Sequence, residues 1–137
     1  MVDSSAIVAI RFGEPLAGVL FERLKADSAP IMSVANYVET GQVLAQRRPG
    51  SPAAALDRFH ELLSRAGIVL APIDEVQARV ALEARIRYGR GFGHRARLNY
   101  SDCFAYALAK VRGAPLLFVG DDFTHTDIVS ALAELPR

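Results

Sequence analysis

The chain has 137 residues, 51% of them hydrophobic, with 16 Lys and Arg against 15 Asp and Glu. That length suits one domain with a sizeable core, here residues 1–137, and a net charge of +1 excludes a globally basic nucleic-acid binder, so any electrostatic footprint must be local. The single cysteine, Cys103, excludes an internal disulfide framework and a cysteine-cluster metal site, while no apolar run nears the roughly 20 residues that span a bilayer and no signal-peptide pattern opens the chain; a cytoplasmic protein without membrane contacts is expected.

In chain order, MVDSSAIVAIRF predicts a clipped first strand, then a helix starting at Asp3, Ser4 and Ser5, which are good helix openers. GEPLAGVLFERLKAD predicts an amphipathic helix with Leu16, Val19, Leu20 and Leu24 at helical spacing and Pro15 in its first turn. APIMS is a short strand, and its Ser33 caps the helix VANYVETGQVLAQRR, where Val34, Val38, Gly41 and Ala45 form one stripe. Next come the helix SPAAALDRFHELLSRAG closing at Gly67, the strand IVLAPI, and the helix EVQARVALEARIRYG capped by Asp74. An Arg- and Gly-rich loop over 90–98 leads into the helix of LNYSDCFAYALAK, and APLLFVGDD reads as a strand buried on both faces. Alternating strands and helices predict an α/β fold with a mainly parallel sheet between helical layers, and in such sheets ligands gather beyond the carboxyl ends of the strands.

That rule singles out acids. Asp3 follows the first strand, Asp121 and Asp122 follow the last, Asp102 opens the helix leading into that strand, and Glu39 borders the apolar stripe of the helix after the second strand. Crowded carboxylates resist ionisation unless a hard divalent cation neutralises them, and oxygen ligands suit Mg2+ or Mn2+. Each acid also has a plainer role: Asp3 or Asp102 as a helix-end carboxylate, Glu39 as a surface acid, and Asp121 with Asp122 as a polar turn before a short helix capped by Thr124 or Thr126. Their joint placement favours a site.

The segments VDSSAIVAI, SVANYVETGQVL, LNYSDCFAYALAK and PLLFVGDDFTHTDI together resemble the PIN-domain family, specifically VapC-type toxins of bacterial toxin–antitoxin pairs, over essentially the whole chain. The resemblance implies an α/β/α sandwich and an Mg2+- or Mn2+-dependent endoribonuclease. It implies Asp3, Glu39 and Asp102 as metal-binding and catalytic acids, with Asp121 or Asp122 as the fourth, Asp127 as an outer candidate, and Ser4 or Ser5 as the supporting polar group. It further implies a VapB-type antitoxin as partner, a homodimer, and contact with operator DNA only through the antitoxin. Two departures stand out: Ser101 replaces a glycine common before the helix aspartate, where it perturbs the turn or hydrogen-bonds Asp102, and the first strand is short.

Arg85, Arg87, Arg90, Arg95 and Arg97 cluster within thirteen positions, with His94 among them and Gly89, Gly91 and Gly93 lending flexibility. Arginine forks there suit RNA phosphates, with Arg90, Arg95 and Arg97 nearest the Asp102 helix; a solvated loop or a protein-binding loop is the plainer reading. His94 or His125 as general base is a weaker alternative. Tyr37, Tyr88, Tyr100 and Tyr106 suit core or dimer contacts before base stacking, and Cys103 reads as an apolar filler. Two rival functions remain: another Mg2+-dependent phosphate enzyme, which needs a placed lysine or threonine and has only Lys25 and Lys110 to offer, and a non-catalytic RNA- or partner-binding module.

Overall fold

The computed structural model describes residues 1–47 and 50–133. Six helices and two strands run in the order α1 (Ser4–Arg11), α2 (Ala17–Ala26), β1 (Ile31–Ser33), α3 (Val34–Arg47), α4 (Pro52–Ala66), β2 (Val69–Ala71), α5 (Glu75–Tyr88) and α6 (Tyr100–Arg112) among the described residues. The capping chemistry explains most boundaries. Asp3, Ser51, Asp74 and Asn99 each accept a backbone N–H at the start of α1, α4, α5 and α6. Gly67 ends α4 in the left-handed region at φ 69°, where a side chain is costly. The expected Ser33 cap is present, with its Oγ accepting the Ala35 N–H at 3.3 Å.

Strands β1 and β2 pair in parallel, Ile31 opposite Val69 and Ser33 opposite Ala71. Hydrogen bonding then continues beyond them. The Val2 N–H donates to the Ile31 carbonyl at 2.9 Å, Val2 bridges Leu117 in parallel, and Leu116 bridges Ser130 in parallel. The terminal strands expected from sequence are thus single bridges extending a short parallel sheet, in the spatial order β2, β1, Val2, Leu117 with Leu116, Ser130.

Two hydrophobic clusters flank this sheet. One gathers Ile7, Leu20, Leu24, Leu44, Phe59 and Leu63 from α1 to α4 with Val2, Met32 and Leu117. The other gathers α5 and α6 residues with Leu116, Phe118 and Phe123. Leu117 faces one cluster while Leu116 and Phe118 face the other, the alternation an extended segment imposes. The result is the expected α/β/α sandwich.

Packing corrects two readings of the apolar pattern. The buried face of α3 is Asn36, Thr40, Gly41 and Leu44, whereas Val38 is 63% exposed, so the stripe lies elsewhere on the helix than its apolar residues indicate. On α2 only Leu20 and Leu24 are buried; Leu16 and Val19 are exposed, and Pro15 precedes the helix. Val69 is also exposed, because β2 is an edge where apolar continuity does not mean burial on both faces.

Candidate active site

Ends of separate elements build one pocket of about 300 Å³, lined by Asp3, Glu39, Asp102 and Asp122 together with Ser4, Ser5, Glu14, Arg47, Asn99 and the apolar Val8, Val43, Val119 and Phe123. The sheet puts Asp3 there by bonding: the Asp3 N–H donates to the Leu117 carbonyl at 2.9 Å, tying the first acid to the segment that runs on to Asp122. Ser5 strengthens the tie. Its hydroxyl donates to Asp3 Oδ2 at 2.6 Å and accepts the Val119 N–H at 3.0 Å, while its own N–H also reaches Asp3 Oδ2. Asp3 is therefore a helix cap as well as a pocket acid. Its second oxygen, Oδ1, is buried without a hydrogen-bond partner among the described residues.

On α6, Asp102 occupies the third helical position of a capping box. Asn99 Oδ1 accepts the Asp102 N–H at 2.8 Å, and Asp102 Oδ2 accepts the Asn99 N–H at 2.9 Å. One carboxylate oxygen is fixed by the helix end and the group is buried. Ser101, for which a perturbed turn or a hydrogen bond to Asp102 is the expectation, donates to Asn99 Oδ1 at 3.1 Å and so steadies the cap.

Asn36, a residue that sequence reasoning missed, joins these parts. Its side-chain nitrogen donates to the Ser101 carbonyl at 3.2 Å and to Ser4 Oγ at 3.4 Å, and Ser4 Oγ donates to the Asn36 carbonyl at 3.2 Å. One fully buried amide thus links α1, α3 and α6, which carry or adjoin Asp3, Glu39 and Asp102. Because the Ser101 partner is a carbonyl, the NH2 end must face it.

The electrostatics follow from burial and crowding. Burial raises the Asp3 carboxyl above the usual carboxylate range, Asp122 adds to the rise, and the Ser5 and Ser4 donors oppose it. Burial first and the charge of Asp3 second push Asp102 up to about 7 against the Asn99 N–H, with Asp122 and Glu39 adding smaller pushes. Half-buried Glu39 rises for the same two leading reasons. Burial and mutual repulsion favour the protonated forms of these carboxylates, and a hard cation held among them would reverse that preference.

The remaining candidates separate clearly. Asp122 lines the pocket, whereas Asp121 does not; the Asp121 carbonyl accepts Thr124 N–H and Oγ. Residues 120–127 form turns and bends, so the short helix capped by Thr124 or Thr126 does not form. Asp127 is turned to other duty, accepting Tyr106 O–H at 2.7 Å and Lys110 Nζ at 2.8 Å. Arg90, Arg95 and Arg97 are exposed and none lines the pocket. Their loop is pinned at its base, since Arg85 Nη1 donates to the carbonyls of Arg90 and Leu98 at 3.0 Å each and Gly89 bridges Leu98. The glycines therefore do not leave the whole segment free. His125 is exposed and His94 Nδ1 accepts the Ala96 N–H; neither lines the pocket. Burial pushes the Cys103 thiol up to about 11, in keeping with an inert filler.

Whether a metal fits is a question of donors. An unpartnered buried oxygen on Asp3 and the carboxylates of Glu39, Asp102 and Asp122, with Glu14 also in the lining, are suitable oxygen ligands. Among the described residues, however, no three His, Cys, Asp or Glu side chains converge into a ready cage. A pocket whose carboxylates surround a space without closing on it suits an ion that retains several waters, as Mg2+ does.

An α/β/α sandwich with an acid-lined pocket at the ends of parallel segments defines a class, and the sequence comparisons define the family. The PIN domain family matches residues 1–129. Ribonuclease VapC42 of Mycobacterium tuberculosis is 51% identical over 128 residues, covering 93% of this chain and 95% of its own. Ribonuclease VapC of Mycolicibacterium smegmatis is 45% identical over 130 residues, covering 95% and 98%, and Ribonuclease VapC30 of M. tuberculosis is 43% identical over 130 residues, covering 95% and 96%. The chain belongs to the PIN-domain family.

Proposed function

We propose that this protein is a divalent-metal-dependent endoribonuclease that hydrolyses RNA phosphodiester bonds, the toxin of a toxin–antitoxin pair. The observation that carries the reading is the convergence of Asp3, Glu39, Asp102 and Asp122, from four separate stretches of chain, on one pocket where burial and mutual charge raise three of them. Relatives that share about half their residues with it across nearly the full length are named VapC ribonucleases.

Asp3, Glu39, Asp102 and Asp122 would hold Mg2+ or Mn2+, which supplies charge neutralisation and a water acidic enough to serve as nucleophile when bound. The chain's own part is positioning. Ser5 fixes Asp3 Oδ2 and leaves Oδ1 for a ligand; the Asn99 cap fixes one oxygen of Asp102; Asn36 holds α3 and α6 at constant separation. Val8, Val43, Val119 and Phe123 form apolar walls that limit bulk water beside the carboxylates. Arg90, Arg95 and Arg97, exposed on the loop that precedes α6, would meet RNA phosphates outside the pocket.

A phosphatase or receiver-type reading finds no support, because Lys25 pairs with Glu22 and Lys110 with Asp127, and neither lines the acid pocket. The naming of the relatives supports a VapB-type antitoxin as partner, and contact with operator DNA only through that antitoxin is part of the proposal. A homodimer acting in the cytoplasm completes the proposal; among the described residues no helix is long and apolar enough to cross a membrane.

The test is incubation of purified antitoxin-free protein with total cellular RNA plus Mg2+, Mn2+ or chelator, beside Asp102→Asn, with mapping of new RNA ends. Discrete metal-dependent ends absent from the variant are expected. Metal binding without cleavage would point to an RNA outside that pool or a further factor, and absence of both metal binding and cleavage in a folded protein would favour a non-catalytic module instead.

A further inference from the structure

We infer that Arg47 is the subsite for an RNA phosphate flanking the cleaved one, a proposal that rests on the nuclease reading above and adds a substrate contact to it. Among the described residues that line the acidic pocket, Arg47 is the one basic side chain. It ends α3, the helix that carries Glu39. A guanidinium sharing a pocket with five carboxylates would ordinarily pair with one of them, yet among the described residues Arg47 forms no ion pair. Its described contact is with an aromatic face: the guanidinium carbon lies 5.9 Å from the centroid of the Phe12 ring.

That arrangement has a chemical consequence. A cation–ring contact engages no N–H donor in a hydrogen bond, so the guanidinium edge that binds a phosphate through two parallel hydrogen bonds stays available. Glu39 and Arg47 lie eight positions apart on one helix, about 12 Å along its axis, and helical side chains lean back toward the N-terminus, so the Arg47 head returns toward the acids. The offset places it beyond the reacting phosphate. A polyanion entering a pocket of carboxylates needs a cation that those carboxylates have not neutralised, and Arg47, without an ion pair among the described residues, is such a cation.

The role is binding, without a part in bond cleavage. Arg47→Ala should raise KM for RNA about tenfold, leave kcat within about twofold, and leave Mn2+ affinity unchanged. The dependence of log affinity on log salt should become shallower by about 0.7, the value of one phosphate contact on a single strand. Arg47→Lys should keep the salt slope and recover part of the KM, since it restores charge without the fork. Arg112→Ala, an exposed arginine at the far end of α6, controls for net charge and should change nothing.

A binding measurement separates this inference from the nuclease reading. Fluorescence anisotropy of a labelled single-stranded RNA of mixed sequence is recorded with the Asp102→Asn protein, with and without Arg47→Ala. Weaker binding with a shallower salt slope supports Arg47 even if the wild type cleaves nothing. Equal affinity and equal slope, in a variant with the parent's thermal midpoint, would overturn the assignment while leaving cleavage and the acids untouched.

Discussion

The side-chain nitrogen of Asn36 reaches the carbonyl of Ser101 at 3.2 Å, joining residues 65 positions apart across the helices that bear Glu39 and Asp102. The same nitrogen meets Ser4 Oγ beside Asp3. Asn36→Ala leaves a buried carbonyl and hydroxyl without their donor, which costs about 1–3 kcal/mol of stability. Chemical denaturation of the two proteins checks the value. A change within error of zero would mean that these contacts do not hold the site-bearing helices.

Ser5 links Asp3 to Val119 through one hydroxyl, at 2.6 and 3.0 Å. Groups that orient a ligand side chain typically contribute about 10–100-fold in metal affinity or activity. Ser5→Ala should lower Mn2+ affinity by that order, and Ser5→Thr, which keeps the hydroxyl, should restore most of it. Calorimetric titration reads both. An alanine variant with wild-type affinity would reduce Ser5 to a helix-capping role.

Acid crowding predicts an unusual dependence of stability on pH. Asp102 rises from 3.8 to about 7 on folding, so between those values the folded chain holds a proton that the unfolded chain has released. The metal-free protein should therefore lose stability as pH rises from about 4 to about 7, the reverse of an ordinary salt-bridged carboxylate. Asp102→Asn removes that contribution and should flatten the profile, with the variant the more stable of the two at pH 8. Thermal midpoints across the range in chelator decide it; parallel profiles would place Asp102 in a more solvated setting than its burial indicates.

Divalent metal should reverse the trend. Metal binds the ionised carboxylates, and burial pushes Asp102 up to about 7 and raises Asp3 and Glu39 above the usual carboxylate range, so Mg2+ or Mn2+ should raise the thermal midpoint more at pH 8 than at pH 5.5. Calorimetry near neutral pH in two buffers of different ionisation enthalpy should report net proton release. Identical heats in the two buffers would contradict uptake by these carboxylates.

Much of this site was legible in the sequence because capping and topology are local. Asp3 after a strand, Asp102 at a helix start and the acidic pair after the last strand can be placed without coordinates, and parallel alternation brings their ends together. The choice of Asp122 over Asp121 was not legible, since adjacent residues in a turn differ only in direction. Asn36 escaped because periodicity weighs apolar residues, and the face α3 buries contains Asn36 and Thr40 while Val38 is exposed. Arg47 escaped because it stands outside the local cluster of arginines, and only the fold brings it to the pocket that Asp3, Asp102 and Asp122 line from distant positions. The shortened terminal strands follow from the same limit: apolar runs show what is buried, and pairing length depends on the neighbour.

Gly89 ends α5 with φ −73° and ψ 152°, a conformation open to any residue, so left-handed backbone is not what calls for glycine here. Space is. A Cβ built on Gly89 would overlap both the Arg85 carbonyl oxygen and the guanidinium Nη1 that holds the loop through the Arg90 and Leu98 carbonyls. The Arg85 head can swing away, but the carbonyl belongs to the helix and cannot. Gly89→Ala should therefore release the Arg85 staple and cost about 1–3 kcal/mol, with faster proteolysis between residues 90 and 98. Arg85→Ala should increase loop cleavage in the same way without the backbone clash, so the double variant should be no more protease-sensitive than Gly89→Ala alone. Additive sensitivity would show that glycine and arginine hold the loop independently.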